Sequence, residues 1–272
     1  MPILWPGALV LAACVFDAPS ASAFPADTLL DVGGRALEIE VRRGREPLTI
    51  VFEAGGGSTL DSWDAVPDSV AVRSGATVVT YNRAGLGRSD LGPPGLTPLD
   101  EMRDLARSLE TLGVPARRIV VGTSYGAMLA VLHAGLYPDD VAGLVLVDPM
   151  NARFIAATGD FVKSTAPVPE NPANDRERLI VRMSRTLDDL AARTGAVEPD
   201  LPIPIVVIAA GEPWWGRAEI VAAWRRSHAE IAAARAEREL VVAEGSGHQV
   251  AEDRPDVIVD AVLKISRMAL DD

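Results

Sequence analysis

The stretch "RIVVGTSYGAMLAVLHAGLYP", residues 118–138, decides how this chain is read. A β-branched run ends at Thr123 and an apolar, alanine-rich run starts at Tyr125, so a strand passes into a helix across one residue, Ser124. Such a turn holds the intervening residue at a sharp bend with its hydroxyl exposed. Gly122 and Gly126 stand on either side, where a Cβ would collide as strand and helix close up. Chance matches to Gly-x-Ser-x-Gly are common, so the strand before and the helix after are what give this one its weight.

Outward from that corner the chain alternates. Runs rich in valine and isoleucine occur at "ALEIEVR" (36–42), "LTIVFEA" (48–54), "TVVTYN" (77–82), "GLVLVD" (143–148), "IPIVVIAAG" (203–211) and "RELVVAEG" (238–245). Helical stretches separate most of them. In "TPLDEMRDLARSLETLG" (97–113), Leu99, Met102, Leu105, Leu109 and Leu112 recur at helical spacing, with Thr97 as cap, Pro98 in the first turn and Gly113 as stop. Uninterrupted apolar strands between amphipathic helices predict an α/β fold with a mostly parallel central sheet covered on both faces. "ALEIEVR" alternates instead and predicts an antiparallel edge ribbon. Residues 149–202 contain no convincing strand and predict a small helical cap or lid, so the core is expected over 24–148 and 203–272.

Composition narrows the partners. With 272 residues, 48% of them hydrophobic, the chain can bury a large core as one domain, and a net charge of −12 argues against nucleic acid. The single cysteine, Cys14, excludes an internal disulfide and a cysteine-based metal site. Residues 3–16, "ILWPGALVLAACVF", form an apolar run suited to a signal-peptide core, and Ala21, Ser22 and Ala23 supply a cleavage signal. Residues 1–23 are therefore expected to direct export to a secreted or periplasmic location. "LAAC" ending at Cys14 also matches a lipoprotein box, which would make a membrane anchor of that residue.

A serine hydroxyl needs a base to become a nucleophile, and imidazole suits that role near neutral pH. Three histidines are present. His133 lies well along the helix after Ser124 and is expected to pack or face solvent. His228 sits in the helical "WRRSHAEI" and is expected at a solvated rim. His248 follows the last strand in the glycine-loosened "EGSGHQ" and is the candidate base. Gly55, Gly56 and Gly57 could bring backbone N–H groups close to a developing negative charge; no lysine follows them as a P-loop requires.

Five motifs now stand in order: "FEAGGGST" (52–59), "YNRAGLGRSD" (81–90), "GTSYG" (122–126), "GLVLVDP" (143–149) and "EGSGHQVAEDRPDVIVDAV" (244–262). Together they resemble the α/β-hydrolase family over nearly everything after residue 30. Two departures are visible: Ala54 replaces the histidine usual before the glycine of the oxyanion loop, and Asn82 replaces the aspartate of the family's frequent DxRGxGxS. The resemblance implies Ser124 as nucleophile, His248 as base, and the N–H groups of Gly56 and Tyr125 as an oxyanion hole. For the acid it leaves two positions open, Asp148 after the sixth strand, which is preferred, and Glu212 after the seventh. It implies hydrolysis of an ester, thioester, lactone or amide of a small acyl substrate through an acyl-enzyme, without metal or cofactor. An acyltransferase with the same triad and a non-catalytic binding protein are the alternatives. Phe154, Ile155, Phe161, Trp214 and Trp215 are expected in an acyl pocket or in the core.

Overall fold

The computed structural model describes residues 26–159, 161–162, 168–213 and 216–271. The signal-peptide and lipoprotein-box readings, and Trp214 and Trp215, lie outside the described residues.

Among these residues one sheet has the strand order β1-β2-β4-β3-β5-β6-β7-β8. The strands are β1 (Ala26–Asp31), β2 (Ala36–Arg42), β3 (Thr49–Glu53), β4 (Thr77–Tyr81), β5 (Arg118–Thr123), β6 (Val141–Val147), β7 (Ile205–Ala210) and β8 (Arg238–Ala243). From β4 to β8 every pair is parallel, whereas β1–β2 and β2–β4 are antiparallel. "ALEIEVR" is thus antiparallel as expected, but it is not the edge. β1 covers it through a hairpin in which the Asp31 carboxylate accepts the N–H groups of Gly33 at 2.9 Å and Gly34 at 2.7 Å. The sequence "ADTLLD" hides this strand because it offers just two large apolar residues.

Side-chain alternation divides the core into two faces. Ile50, Phe52, Ile119 and Val121 point towards α1 (Val66–Ser74) and α7 (Pro255–Asp271), where Val70, Ile258, Val262 and Ile265 meet them. Val51 and Val79 point the other way, towards α2 (Pro98–Thr111) and α3 (Tyr125–Leu136), against Met102, Leu105, Leu109 and Leu129. The start of α2 follows its sequence: Thr97 Oγ1 accepts the N–H of Asp100 at 3.3 Å while the Asp100 carboxylate accepts the Thr97 N–H at 3.1 Å, a capping box with Pro98 in the first turn.

Between β6 and β7 lie α4 (Ala152–Thr158) and α5 (Asp175–Val197), and between β7 and β8 lies α6 (Ala218–Ala233). Arg182 ties α5 down, donating to the carbonyls of Leu91 at 2.9 Å and Ala84 at 2.8 Å and pairing with the buried Glu101 at 3.2 Å. The adjacent Met183 reaches over Gly56 of the glycine loop. Phe154 and Ile155 of α4 are core residues, with Phe154 edge-on to Trp224 at 4.6 Å between ring centroids. Phe161 is partly buried beneath the Arg217 guanidinium.

Candidate active site

At the junction of β5 and α3, Ser124 has φ 52° and ψ −119°, a conformation that L-residues seldom adopt. The surroundings impose it. Its N–H donates to Val147 O at 3.0 Å, and its carbonyl accepts from Ala127 at 3.1 Å and Met150 at 3.2 Å. A Cβ on Gly126 would lie 2.3 Å from Glu53 O, and one on Gly122 would lie 2.5 Å from Gly126 O, so neither position admits another residue without backbone movement. Ser124 flanks α3 without making a side-chain cap bond.

Ser124 shares a cleft of about 240 Å³ with Gly55, Gly56, Ser58, Ser62, Thr123 and His248. His248 Nδ1 lies 2.6 Å from Asp148 Oδ2. Because a carboxylate can only accept, Nδ1 carries the hydrogen of this bond and the neutral ring keeps its basic lone pair on Nε2. Asp148 is fully buried and also has positive φ, 39°. Its other oxygen, Oδ1, accepts the indole N–H of Trp224 at 2.8 Å and the backbone N–H of Ala210 at 3.1 Å. Burial alone would raise this carboxyl; the hydrogen bonds from His248 and the Ala210 N–H outweigh it, holding the carboxyl below its usual range.

The glycine loop after β3 passes beside the serine. An ideal Cβ on Gly55 would be 3.7 Å from Ser124 Cβ, and one on Gly56 would be 3.4 Å from Tyr125 Cβ. Behind the loop, Arg83 donates to the carbonyls of Ala54 at 2.5 Å and Gly55 at 2.6 Å and meets Glu53 Oε2 at 3.3 Å. Glu53 is fully buried, and desolvation pushes its carboxyl up to about 8 despite the Arg83 charge. The same motif explains Asn82. Its Oδ1 accepts the Leu60 N–H at 2.8 Å while its Nδ2 donates to Glu38 at 2.7 Å, and an aspartate there would oppose Glu38.

Of the two positions left open for an acid, the structure brings Asp148 to His248, while Glu212 is exposed and held through its backbone N–H to Ser246 O at 2.9 Å. His228 corrects the expectation of a solvated rim. It is fully buried, with Nε2 3.0 Å from Pro149 O and Nδ1 4.0 Å from Asp148 Oδ1. Since that carbonyl can only accept, Nε2 bears the hydrogen, and burial keeps the ring neutral by lowering its pKa. A signal existed: Ile220, Ala223, Trp224, Ser227, His228 and Ile231 share the buried stripe of α6 at helical spacing. Trp224 and Arg83 also went unread, because nothing local reveals what their side chains reach. His133 packs inside α3 against Tyr137. Among the described residues no group of three or more His, Cys, Asp or Glu is arranged to hold a metal ion.

Comparison with known proteins gives a consistent picture. Residues 50–261 match the model of the "Alpha/beta hydrolase family". The uncharacterized protein YqjL of Bacillus subtilis is 27% identical over 243 residues, which is 86% of this chain and 89% of that protein. Human (lyso)-N-acylphosphatidylethanolamine lipase is 34% identical over 135 residues, 46% of this chain and 38% of the lipase. Esterase Rv0045c of Mycobacterium tuberculosis is 33% identical over 109 residues, 40% of this chain and 35% of the esterase. The chain therefore spans well under half the length of these last two relatives in alignment. Among solved structures, a thermophilic esterase from Thermogutta terrifontis superposes with a TM-score of 0.66 at 18% identity, over 90% of this chain and 98% of that one, a likeness of fold.

Proposed function

The chain belongs to the alpha/beta hydrolase family and is a hydrolase, and from the geometry of its cleft we propose that it works through Ser124 as a covalent nucleophile on an ester, thioester, lactone or amide. The observation that carries this reading is the Asp148–His248 contact of 2.6 Å at the wall of the cleft that Ser124 also lines.

In the proposed reaction, Ser124 Oγ attacks the substrate carbonyl while His248 Nε2 takes its proton. Asp148 holds the imidazole in the tautomer that offers Nε2 and stabilises the imidazolium. The N–H groups of Gly56 and Tyr125 receive the tetrahedral oxyanion. Collapse expels the leaving group, which takes the proton from His248, and an acyl-Ser124 remains. Water, deprotonated by His248, then releases the acid and restores the serine. The insertion carrying α4 and α5 acts as the cap that shapes the acyl pocket. Export through residues 1–23 belongs to the same proposal and rests on sequence alone.

The test is hydrolysis of a short-chain p-nitrophenyl ester and labelling by a fluorophosphonate. Ser124→Ala is expected to abolish both. Asp148→Asn should lower kcat by about 10² to 10⁴, while Glu212→Gln should stay within about twofold. Persistent turnover in Ser124→Ala would refute the nucleophile, and a Glu212→Gln loss larger than that of Asp148→Asn would refute the acid.

A further inference from the structure

Arg83 is 2% exposed and bonds to the glycine loop without itself lining the cleft. Its Nη1 and Nη2 donate separately to two consecutive carbonyls, those of Ala54 and Gly55, at 2.5 Å and 2.6 Å. In a trans peptide the C=O of one residue and the N–H of the next point in opposite directions, and the described chain has no cis peptide. A guanidinium that draws the Gly55 carbonyl inwards therefore turns the Gly56 N–H outwards. Gly55 and Gly56 themselves line the cleft with Ser124. Outwards is thus towards the place where negative charge would develop.

We infer that Arg83 is a positioning residue for the proposed hydrolysis: its planar fork fixes the peptide planes of the oxyanion loop so that Gly56 presents N–H, and not C=O, to the tetrahedral intermediate. This rests on the serine-hydrolase reading. Consecutive glycines let the peptide rotate without meeting a Cβ, and the loop's own bond to the Gly55 carbonyl, from the Ser58 N–H, is long at 3.2 Å. A flipped peptide between Gly55 and Gly56 would place a carbonyl against the oxyanion. The fork opposes that flip through two bonds that share one rigid plane, which a lysine ammonium cannot reproduce. Glu53 Oε2 lies 3.3 Å from the same Nη1 that serves Ala54 and helps to hold the guanidinium in place.

The experiment compares wild type with Arg83→Lys, Arg83→Met and the double variant Arg83→Met with Glu53→Gln. The double variant removes both partners of the buried pair, so no unpaired charge is left to unfold the protein. Measured are kcat and KM for a p-nitrophenyl ester and the inhibition constant of phenylboronic acid, whose boron accepts Ser124 Oγ to form a tetrahedral anion in the oxyanion site. Expected are a fall in kcat of about 10- to 100-fold with KM within about twofold, and boronate affinity falling in parallel with kcat/KM. Arg83→Lys, which keeps the charge beside Glu53 and so tests the fork alone, should lose kcat in the same pattern. A folded double variant with wild-type kcat and boronate affinity would overturn the assignment, as would an Arg83→Lys enzyme indistinguishable from wild type. A wild type that neither hydrolyses the ester nor binds the boronate would instead overturn the reading of Ser124 as nucleophile, and this inference with it.

Discussion

Ser124 and Asp148 are non-glycine residues at positive φ, 52° and 39°, at the ends of the neighbouring strands β5 and β6. Each such conformation stores about 1–3 kcal/mol, which the surrounding packing must supply. At Ser124 the strain is legible in the sequence because the two glycines that permit it stand at fixed distances. At Asp148 no flanking glycine marks the bend, and its side-chain contact depends on a loop 100 residues later. The strain at Ser124 has a measurable consequence. Ser124→Ala keeps a Cβ at positive φ, whereas Ser124→Gly releases it, so the glycine variant should be more stable than the alanine variant by about 1 kcal/mol. Thermal unfolding should place its Tm about 2–4 °C higher. Equal or reversed stabilities would mean that the corner is not strained in solution.

Elements rather than single residues separate what the sequence reveals here from what it hides. The apolar strands and α2 are legible because burial on both faces and helical spacing leave direct traces in residue order. β1 leaves little trace because an edge strand needs few large apolar residues. α6 is legible as a helix but not as part of the site: its stripe is recognisable, yet only the three-dimensional path brings Trp224 and His228 to Asp148 and Pro149, just after β6. There the Trp224 indole N–H occupies Asp148 Oδ1 at 2.8 Å, leaving Oδ2 to face His248. A hydrogen bond to a charged group contributes about 1.5–3 kcal/mol. Without it the carboxylate can turn away from the imidazole. Trp224→Phe keeps the ring packed on Phe154 and removes the donor, and is expected to lower kcat about tenfold with KM nearly unchanged. Steady-state kinetics would test this; unchanged kcat in a folded Trp224→Phe enzyme would leave α6 as packing alone.

At the scale of the whole molecule, buried titratable groups outside the proposed chemistry set how stability follows pH. His133 is fully buried with no hydrogen-bond partner for either ring nitrogen, and burial, aided by the nearby Arg118 charge, lowers its pKa from 6.5 to about 3. Between those values the unfolded chain binds a proton that the folded chain refuses, so this residue makes the fold less stable as pH falls below the unfolded value. Glu53 has the opposite sign: its carboxyl is raised from 4.5 to about 8, so the folded state keeps a proton that the unfolded state releases, and stability is lost as pH climbs between those values. The two effects overlap in mildly acidic solution, so the wild-type pH curve does not isolate either. A variant does. His133→Leu removes two unsatisfied buried nitrogens while keeping an apolar side chain in α3. Moving from about pH 7.5 to about pH 5.5 should then cost the variant about 1.4 kcal/mol less than it costs wild type. Urea unfolding at the two pH values measures that difference directly. If both proteins lost the same stability on acidification, His133 would titrate alike in the folded and unfolded chains, and its burial would not set this part of the pH dependence.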